Sequence, residues 1–107
     1  MAMKPPALEI ARVFADQARE RSPGQIKEIF FYGSRARGDD GPDSDYDLCI
    51  VVDHDDPALE DRIMELAVEW LDRYDAFIAP LLCAEQTFSR CRDAGLYREI
   101  LREGVRL

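Results

Sequence analysis

Residues 30–38 read FFYGSRARG, and residues 44–52 read SDYDLCIVV. The first stretch is apolar until a Gly-Ser pair interrupts it, and the second becomes apolar after two aspartates spaced two residues apart. Aromatic and β-branched residues bounded by turn residues are typical of buried strands. The two stretches therefore predict two strands joined by a polar connection, with the chemically active side chains at the strand ends.

The Gly33-Ser34 pair has the composition of an anion-binding turn. A glycine lets the backbone approach a ligand without a side chain in the way. Ser34 adds a hydroxyl beside the free N–H groups of a predicted helical turn that ends at Arg37. Arg35 and Arg37 add cations, and the planar guanidinium group suits phosphate oxygens. We therefore predict that this turn binds phosphate.

Asp45 and Asp47 open the second predicted strand. Because side chains alternate along a strand, both carboxylates lie on the same face. Two adjacent carboxylates repel each other unless a cation lies between them. Mg²⁺ commonly binds one or two carboxylates together with phosphate oxygens. The pair therefore predicts a Mg²⁺ site next to a triphosphate held at the Gly-Ser turn.

Other metal and phosphate motifs fit these residues poorly. An EF-hand loop starting at Asp43 needs glycine at its sixth position and glutamate at its twelfth, where this chain has Leu48 and His54. Neither GxxxxGK[ST] nor GxGxxG occurs from Gly33 to Gly38. The simpler alternative is a plain turn followed by solvated aspartates. The Gly-Ser turn and the aspartate pair occur together, with predicted strands on both sides, and this favours a phosphate and Mg²⁺ site over a plain turn.

The rest of the chain predicts helices around these strands. The predicted elements are a helix over Ala7 to Arg21, a strand over Ile26 to Tyr32, a helix from Pro57 to Tyr74 with Asp56 as its N-cap, a strand over Phe77 to Cys83 interrupted by Pro80, and short helices over Glu85 to Cys91 and Leu96 to Arg102. Proline favours an edge position for the third strand. Helices and strands that alternate in this way indicate an α/β (α+β) fold, and the length suits a single domain over residues 1–107.

Composition narrows the classes of partner. The formal net charge of −8 repels the phosphate backbone of DNA and RNA, so we expect no long nucleic acid as a ligand. No apolar run is long enough to span a membrane, and the first residues lack the apolar core of a signal peptide, so we expect a cytoplasmic protein with no membrane partner. A nucleotide carried with Mg²⁺ and a basic protein partner are both compatible with the charge. Assembly into a homo-oligomer is left open.

The pattern GSxARG at residues 33–38, followed by SDxDL at residues 44–48, resembles the signature of the minimal nucleotidyltransferases, which are small relatives of the DNA polymerase beta superfamily. Residues 96–105 also resemble the ending of that group. Many of its members are antitoxins paired with HEPN ribonuclease toxins. The resemblance implies a nucleotidyltransferase fold, in which a small mixed β-sheet packs with helices. It also implies transfer of a nucleoside monophosphate from an NTP, namely ATP, to a hydroxyl on a HEPN toxin.

The resemblance also implies a role for each residue of the motif. Gly33 and Ser34 hold the β and γ phosphates, and Asp45 and Asp47 are the catalytic carboxylates that bind Mg²⁺. Arg37 either steadies the phosphates or pairs with a nearby acid.

Fully active members of the superfamily generally carry a third carboxylate on the third strand. The middle of the corresponding segment here has no acid, and Asp75, at its entrance, is the nearest candidate metal ligand. Two functions therefore stay open: an antitoxin that modifies its partner, or a weakly active or inactive nucleotide-binding antitoxin that acts by direct binding. Modification of a small-molecule hydroxyl is a third option, but relatives with that activity usually carry a second domain.

Overall fold

The computed structural model describes residues 7–38 and 45–107. The elements, in chain order, are α1 (Ala7–Arg21), β1 (Ile26–Tyr32), α2 (Ser34–Arg37), β2 (Tyr46–Val52), α3 (Pro57–Tyr74), β3 (Ile78–Ala84), α4 (Glu85–Cys91), α5 (Gly95–Glu103) and β4 (Val105–Arg106). The predicted helices and strands are confirmed, whereas β4 was not predicted, because two residues show no periodicity. Ser44 of the SDxDL pattern lies outside the described residues.

The four strands form one mixed sheet in the order β3-β2-β1-β4. β1 pairs antiparallel with β2 and β4, while β2 pairs parallel with β3. The predicted mixed sheet is therefore confirmed. Pro80 lies within β3 and does not interrupt it, contrary to the expectation from sequence. An edge strand tolerates proline because one of its sides needs no ladder donor.

Helices cover both faces of the sheet. On one face, α1 and α3 bury a large apolar cluster that includes Phe14, Leu48 and Ile63. On the other face, α4 and α5 bury a smaller cluster that includes Cys49, Phe88 and Ile100. Because side chains alternate along β2, Asp47 lies on the same face as Cys49. None of the helices among residues 7–38 and 45–107 combines the length and apolar character of a membrane span.

The start of α3 is tied to the start of β1 through side chains. Asp56 is the N-cap, and its Oδ1 accepts a hydrogen bond from Ala58 N at 3.0 Å. Its Oδ2 accepts another from Gln25 Nε2 at 3.1 Å, and Gln25 Oε1 accepts one from Arg62 Nη2 at 3.0 Å. Such caps satisfy backbone donors that a helix end would otherwise leave without a partner.

We expect Asp56→Ala to lower the free energy of unfolding near neutral pH, and to lower it less in strong acid. The hydrogen bond from Gln25, followed by the one from Ala58, holds the pKa of Asp56 below its ordinary value of 3.8. A carboxyl group with a depressed folded pKa stabilises the fold above its unfolded pKa, and this contribution is lost as the pH falls through the folded value. Urea unfolding of both proteins across this acid range measures the effect, and a constant difference between them would contradict it.

Candidate active site

The turn after β1 lies directly against the start of β2. Tyr32 pairs with Asp47 across the antiparallel strands. A Cβ atom built on Gly33 would overlap Oδ2 of Asp47, so the backbone of Gly33 lies beside that carboxylate. The fold therefore brings the backbone of Gly33 together with Asp47, the second acid of the predicted pair.

Ser34 begins α2 immediately after this contact. Gly33 is the N-cap residue, with φ 85° and ψ −168°, and no side chain caps the first turn of α2. Ser34 itself is partly buried. The Ser34 hydroxyl is therefore one residue away from the contact between Gly33 and Asp47. No capping side chain accepts a hydrogen bond from the backbone amides of this turn.

The two arginines of α2 have different surroundings. Cζ of Arg35 lies 4.2 Å from the centroid of the Tyr46 ring, which belongs to the core under α1 and α3. Arg37 lies close enough to Asp47 to lower the pKa of that carboxyl. Arg37 therefore lies near Asp47, whereas Arg35 packs over Tyr46. That both arginines reach a bound phosphate stays a prediction.

Arg37 also contacts the C-terminal helix. Its Nη1 lies 3.7 Å from Oε2 of Glu103, and both side chains are well exposed. An exposed pair at this distance contributes little to stability. The pair restricts where the guanidinium of Arg37 lies. Arg37 thus pairs with a nearby acid, which is one of the two roles considered for it. Its contact with phosphate remains a proposal.

Asp45 and Asp47 form an electrostatically strained pair. Asp47 lies on β2 and is partly buried, whereas Asp45 immediately precedes the strand and is exposed, so the predicted strand begins one residue later than expected. The pKa of Asp47 is raised above its ordinary value, first by burial and then by the charge of Asp45, whereas the charge of Arg37 lowers it. A divalent cation beside both carboxylates would relieve this repulsion. The pair fits Mg²⁺ that arrives with a nucleotide, because Mg²⁺ needs only one or two carboxylates when phosphate oxygens supply further ligands.

No acid of β3 faces this pair. Asp47 is in register with Ala79 in the parallel β2-β3 ladder. Ile78 and Leu82 pack into the core under α1 and α3, so alternation places Ala79 on the opposite face, with Asp47. Ala79 therefore occupies the position on β3 from which a carboxylate would face Asp47.

Asp75 does not supply the missing carboxylate on β3. It is the exposed C-cap of α3, with φ 53°, and it precedes the strand. In the part of the chain that the structure describes, no three His, Cys, Asp or Glu side chains form a group that could hold a metal ion. Asp75 is thus not grouped with Asp45 and Asp47.

Tyr32 is a residue of this region that the sequence analysis did not identify. Burial, followed by the charges of Asp47 and Cys49, raises the pKa of Tyr32 to about 12. The phenol therefore stays protonated and able to donate a hydrogen bond. Its position just before Gly33 was visible in the sequence, but its pairing with Asp47 depends on strand register, which the sequence does not reveal.

We expect Gly33→Ala to reduce the free energy of unfolding by about 1–3 kcal/mol, because its backbone conformation is essentially restricted to glycine. The added methyl group would also push the Asp47 carboxylate out of place. Gly24→Ala is the matched control, since Gly24 also has a positive φ of 77° but no atom within 4 Å of the place where a Cβ would lie. Urea unfolding and ATP titration with Mg²⁺ measure the two effects. Equal losses of nucleotide binding in both variants would contradict a role for the contact between Gly33 and the Asp47 carboxylate.

Comparison with known proteins identifies the family. Residues 11–107 match the model of the nucleotidyltransferase domain, and the chain belongs to this family. It is similar to a Methanocaldococcus jannaschii protein named "Putative protein adenylyltransferase MJ0604", with 32% identity over 91 residues that cover 85% of this chain and 87% of that protein.

Solved structures share the fold. A crystal structure of a toxin-antitoxin with AMP-PNP superposes with a TM-score of 0.60 at 18% identity, covering 88% of this chain and 69% of that chain. A mutant of the toxin-antitoxin MntA-HpeT superposes with a TM-score of 0.55 at 17% identity, covering 90% and 70%. The predicted nucleotidyltransferase fold is thereby confirmed, and so is the resemblance at the level of the nucleotidyltransferase domain.

Proposed function

We propose that this chain transfers a nucleoside monophosphate, AMP from ATP, to a hydroxyl on a protein partner, and that it acts as an antitoxin whose partner is a HEPN-type toxin. The observation that carries the proposal is the contact between Gly33 and the Asp47 carboxylate, which joins the predicted phosphate-binding turn to the predicted metal-binding pair. The similarity to a putative protein adenylyltransferase and to a toxin-antitoxin crystallised with AMP-PNP supports the same proposal.

Each residue has a defined task in this reaction. Gly33 and Ser34 bind the β and γ phosphates through backbone amides and the hydroxyl. Asp45 and Asp47 would hold Mg²⁺, which, when bound, neutralises charge on the phosphates and on the departing pyrophosphate. Arg37 adds a cation near Asp47.

The bond changes follow from in-line phosphoryl transfer. The acceptor hydroxyl oxygen attacks the α-phosphorus, and the bond from that phosphorus to the bridging oxygen of the β phosphate breaks. Pyrophosphate leaves, and the hydroxyl proton passes to solvent. The protein contributes position and charge, since little other chemistry is required of it.

Ala79 favours a second candidate function. Two-metal transfer stabilises both the attacking and the leaving oxygen, and a third carboxylate on β3 would help to hold the second ion. With alanine in register with Asp47, the described site offers two carboxylates. In this second candidate the chain binds nucleotide, transfers it slowly or not at all, and neutralises its partner by direct contact.

Labelling the partner separates the two functions. The full chain is incubated with Mg²⁺, α-labelled ATP and the protein that co-purifies with it. Label on the partner, together with a mass increase of one adenylate, supports the transferase. Neutralisation of the partner with no label and no mass change supports the binding module and overturns the proposed transfer. Competition by unlabelled GTP, CTP and UTP tests the choice of ATP.

A further inference from the structure

The outer face of α3 exposes an apolar stripe that the core does not use. Met64, Val68 and Leu71 are 45%, 63% and 43% exposed, and their i, i+4, i+7 spacing places them on one side of the helix. The buried side of α3 consists of other residues, among them Leu59, Ile63 and Leu66. The stripe is therefore additional to the amphipathic pattern that folds the domain.

The border of this stripe is acidic. Four exposed acids lie three or four residues from a member of the stripe, which makes them its neighbours on the helix surface: Glu60, Asp61, Glu65 and Asp72. Among the ion pairs found within residues 7–38 and 45–107, none uses these four side chains. Their charge is thus available to a partner.

The basic residues of α3 lie on its other flank. Arg62 donates to Gln25, which precedes β1, and Arg73 lines a groove beside Gln17 and Arg21 of α1. Arg62 thus lies towards Gln25 and Arg73 towards α1, which leaves the apolar stripe with acidic neighbours. A partner that covers the stripe therefore meets negative charge.

We infer that the outer face of α3 docks a protein that presents apolar side chains bordered by lysine or arginine. An apolar stripe with i, i+4, i+7 spacing is the pattern by which amphipathic helices bind to grooves and to other helices. Charge complementarity selects a basic partner. A second copy of this chain is disfavoured as the occupant, because pairing two such faces would bring acidic borders together in a chain whose net charge is already −8.

This docking surface is separate from the nucleotide site. α3 packs on the face of the sheet that carries Leu48 and Ile50, whereas Asp47 lies on the opposite face. The inference therefore does not rest on the proposed function. Occupying the stripe leaves nucleotide binding unchanged, so failure of one proposal is distinguishable from failure of the other.

Two synthetic helical peptides test the inference by fluorescence anisotropy with the full chain. Both carry leucine at i, i+4 and i+7, but lysines border the stripe in one peptide and glutamates in the other. The lysine-bordered peptide binds at least about tenfold more tightly than the glutamate-bordered one. Val68→Glu weakens its binding by about tenfold or more, although the substitution makes the protein more acidic, because it places a charge in the centre of the apolar contact.

Leu96→Glu is the matched control, since Leu96 of α5 is also exposed, at 44%, and the substitution adds the same charge elsewhere. It leaves peptide binding unweakened. Unchanged or tighter binding to the Val68→Glu variant would reveal nonspecific charge attraction and overturn the inference, as would equal affinity for the two peptides. A dimer detected by sedimentation in the wild type and absent in Val68→Glu would show that a second copy covers the stripe, which also overturns it. Circular dichroism confirms that each variant is folded.

Discussion

Asp47→Asn is expected to reduce nucleotide transfer by about a hundredfold or more, because a neutral amide replaces a carboxylate that would hold the metal ion, and metal contributions amount to several kcal/mol of transition-state stabilisation. The affected carboxylate is the one that lies against Gly33. Asp45→Asn is expected to act in the same direction. Initial rates with labelled ATP and Mg²⁺ measure the loss.

The same substitution is not expected to destabilise the fold. Burial and the charge of Asp45 raise the pKa of Asp47, which means that the charged carboxylate is disfavoured in the folded protein without a cation. Asparagine removes that charge at nearly constant size, so the thermal midpoint measured without Mg²⁺ should stay the same or rise. Loss of transfer accompanied by unfolding would contradict this assignment.

Asp75→Asn is the control for this experiment. Asp75 is an exposed C-cap with a left-handed backbone conformation, which asparagine also tolerates. We expect this variant to keep both transfer and stability. If Asp75→Asn lost transfer as completely as Asp47→Asn, Asp75 would be a metal ligand after all, and the register argument that assigns the β3 position to Ala79 would be wrong.

Ala79→Asp is expected to increase Mg²⁺-dependent transfer by about tenfold or more, since it places a third carboxylate in register with Asp47. One further ligand for a second ion would allow both the attacking and the leaving oxygens to be stabilised. Labelled transfer to the partner, measured at several Mg²⁺ concentrations, tests the gain. A gain in transfer that does not depend on Mg²⁺ would show that the added carboxylate does not act by binding a metal ion.

The stability of the Ala79→Asp variant gives a second readout. Without divalent ions, a third negative charge beside Asp45 and Asp47 should lower the thermal midpoint through like-charge repulsion. Mg²⁺ should raise the midpoint more in the variant than in the wild type, because an ion that binds only the folded state stabilises it. Leu81→Asp places the acid two residues further along the same face, in register with Cys49, and serves as the control. Equal Mg²⁺ responses in the two variants would contradict the position assigned to Ala79.

Local patterns in the sequence predicted most of the elements. Helix α3 was predicted from its Asp56 cap, its proline at the first position and its apolar spacing, and the structure confirms these features. The edge position of β3 followed from Pro80. Strand β4 was missed because its two residues pair with β1 across the length of the chain, and such a long-range pairing leaves no local signal.

The sequence by itself determined the chemical character of the candidate site: a glycine free of side-chain bulk, a hydroxyl, an arginine and two acids spaced two residues apart. Only the tertiary structure decided which residues meet. Strand register placed Tyr32 and Ala79 beside Asp47, and packing separated Arg35, over Tyr46, from Arg37, near Glu103. The physical reason is that alternation and caps depend on neighbouring residues, whereas register and docking depend on contacts between segments far apart in the chain.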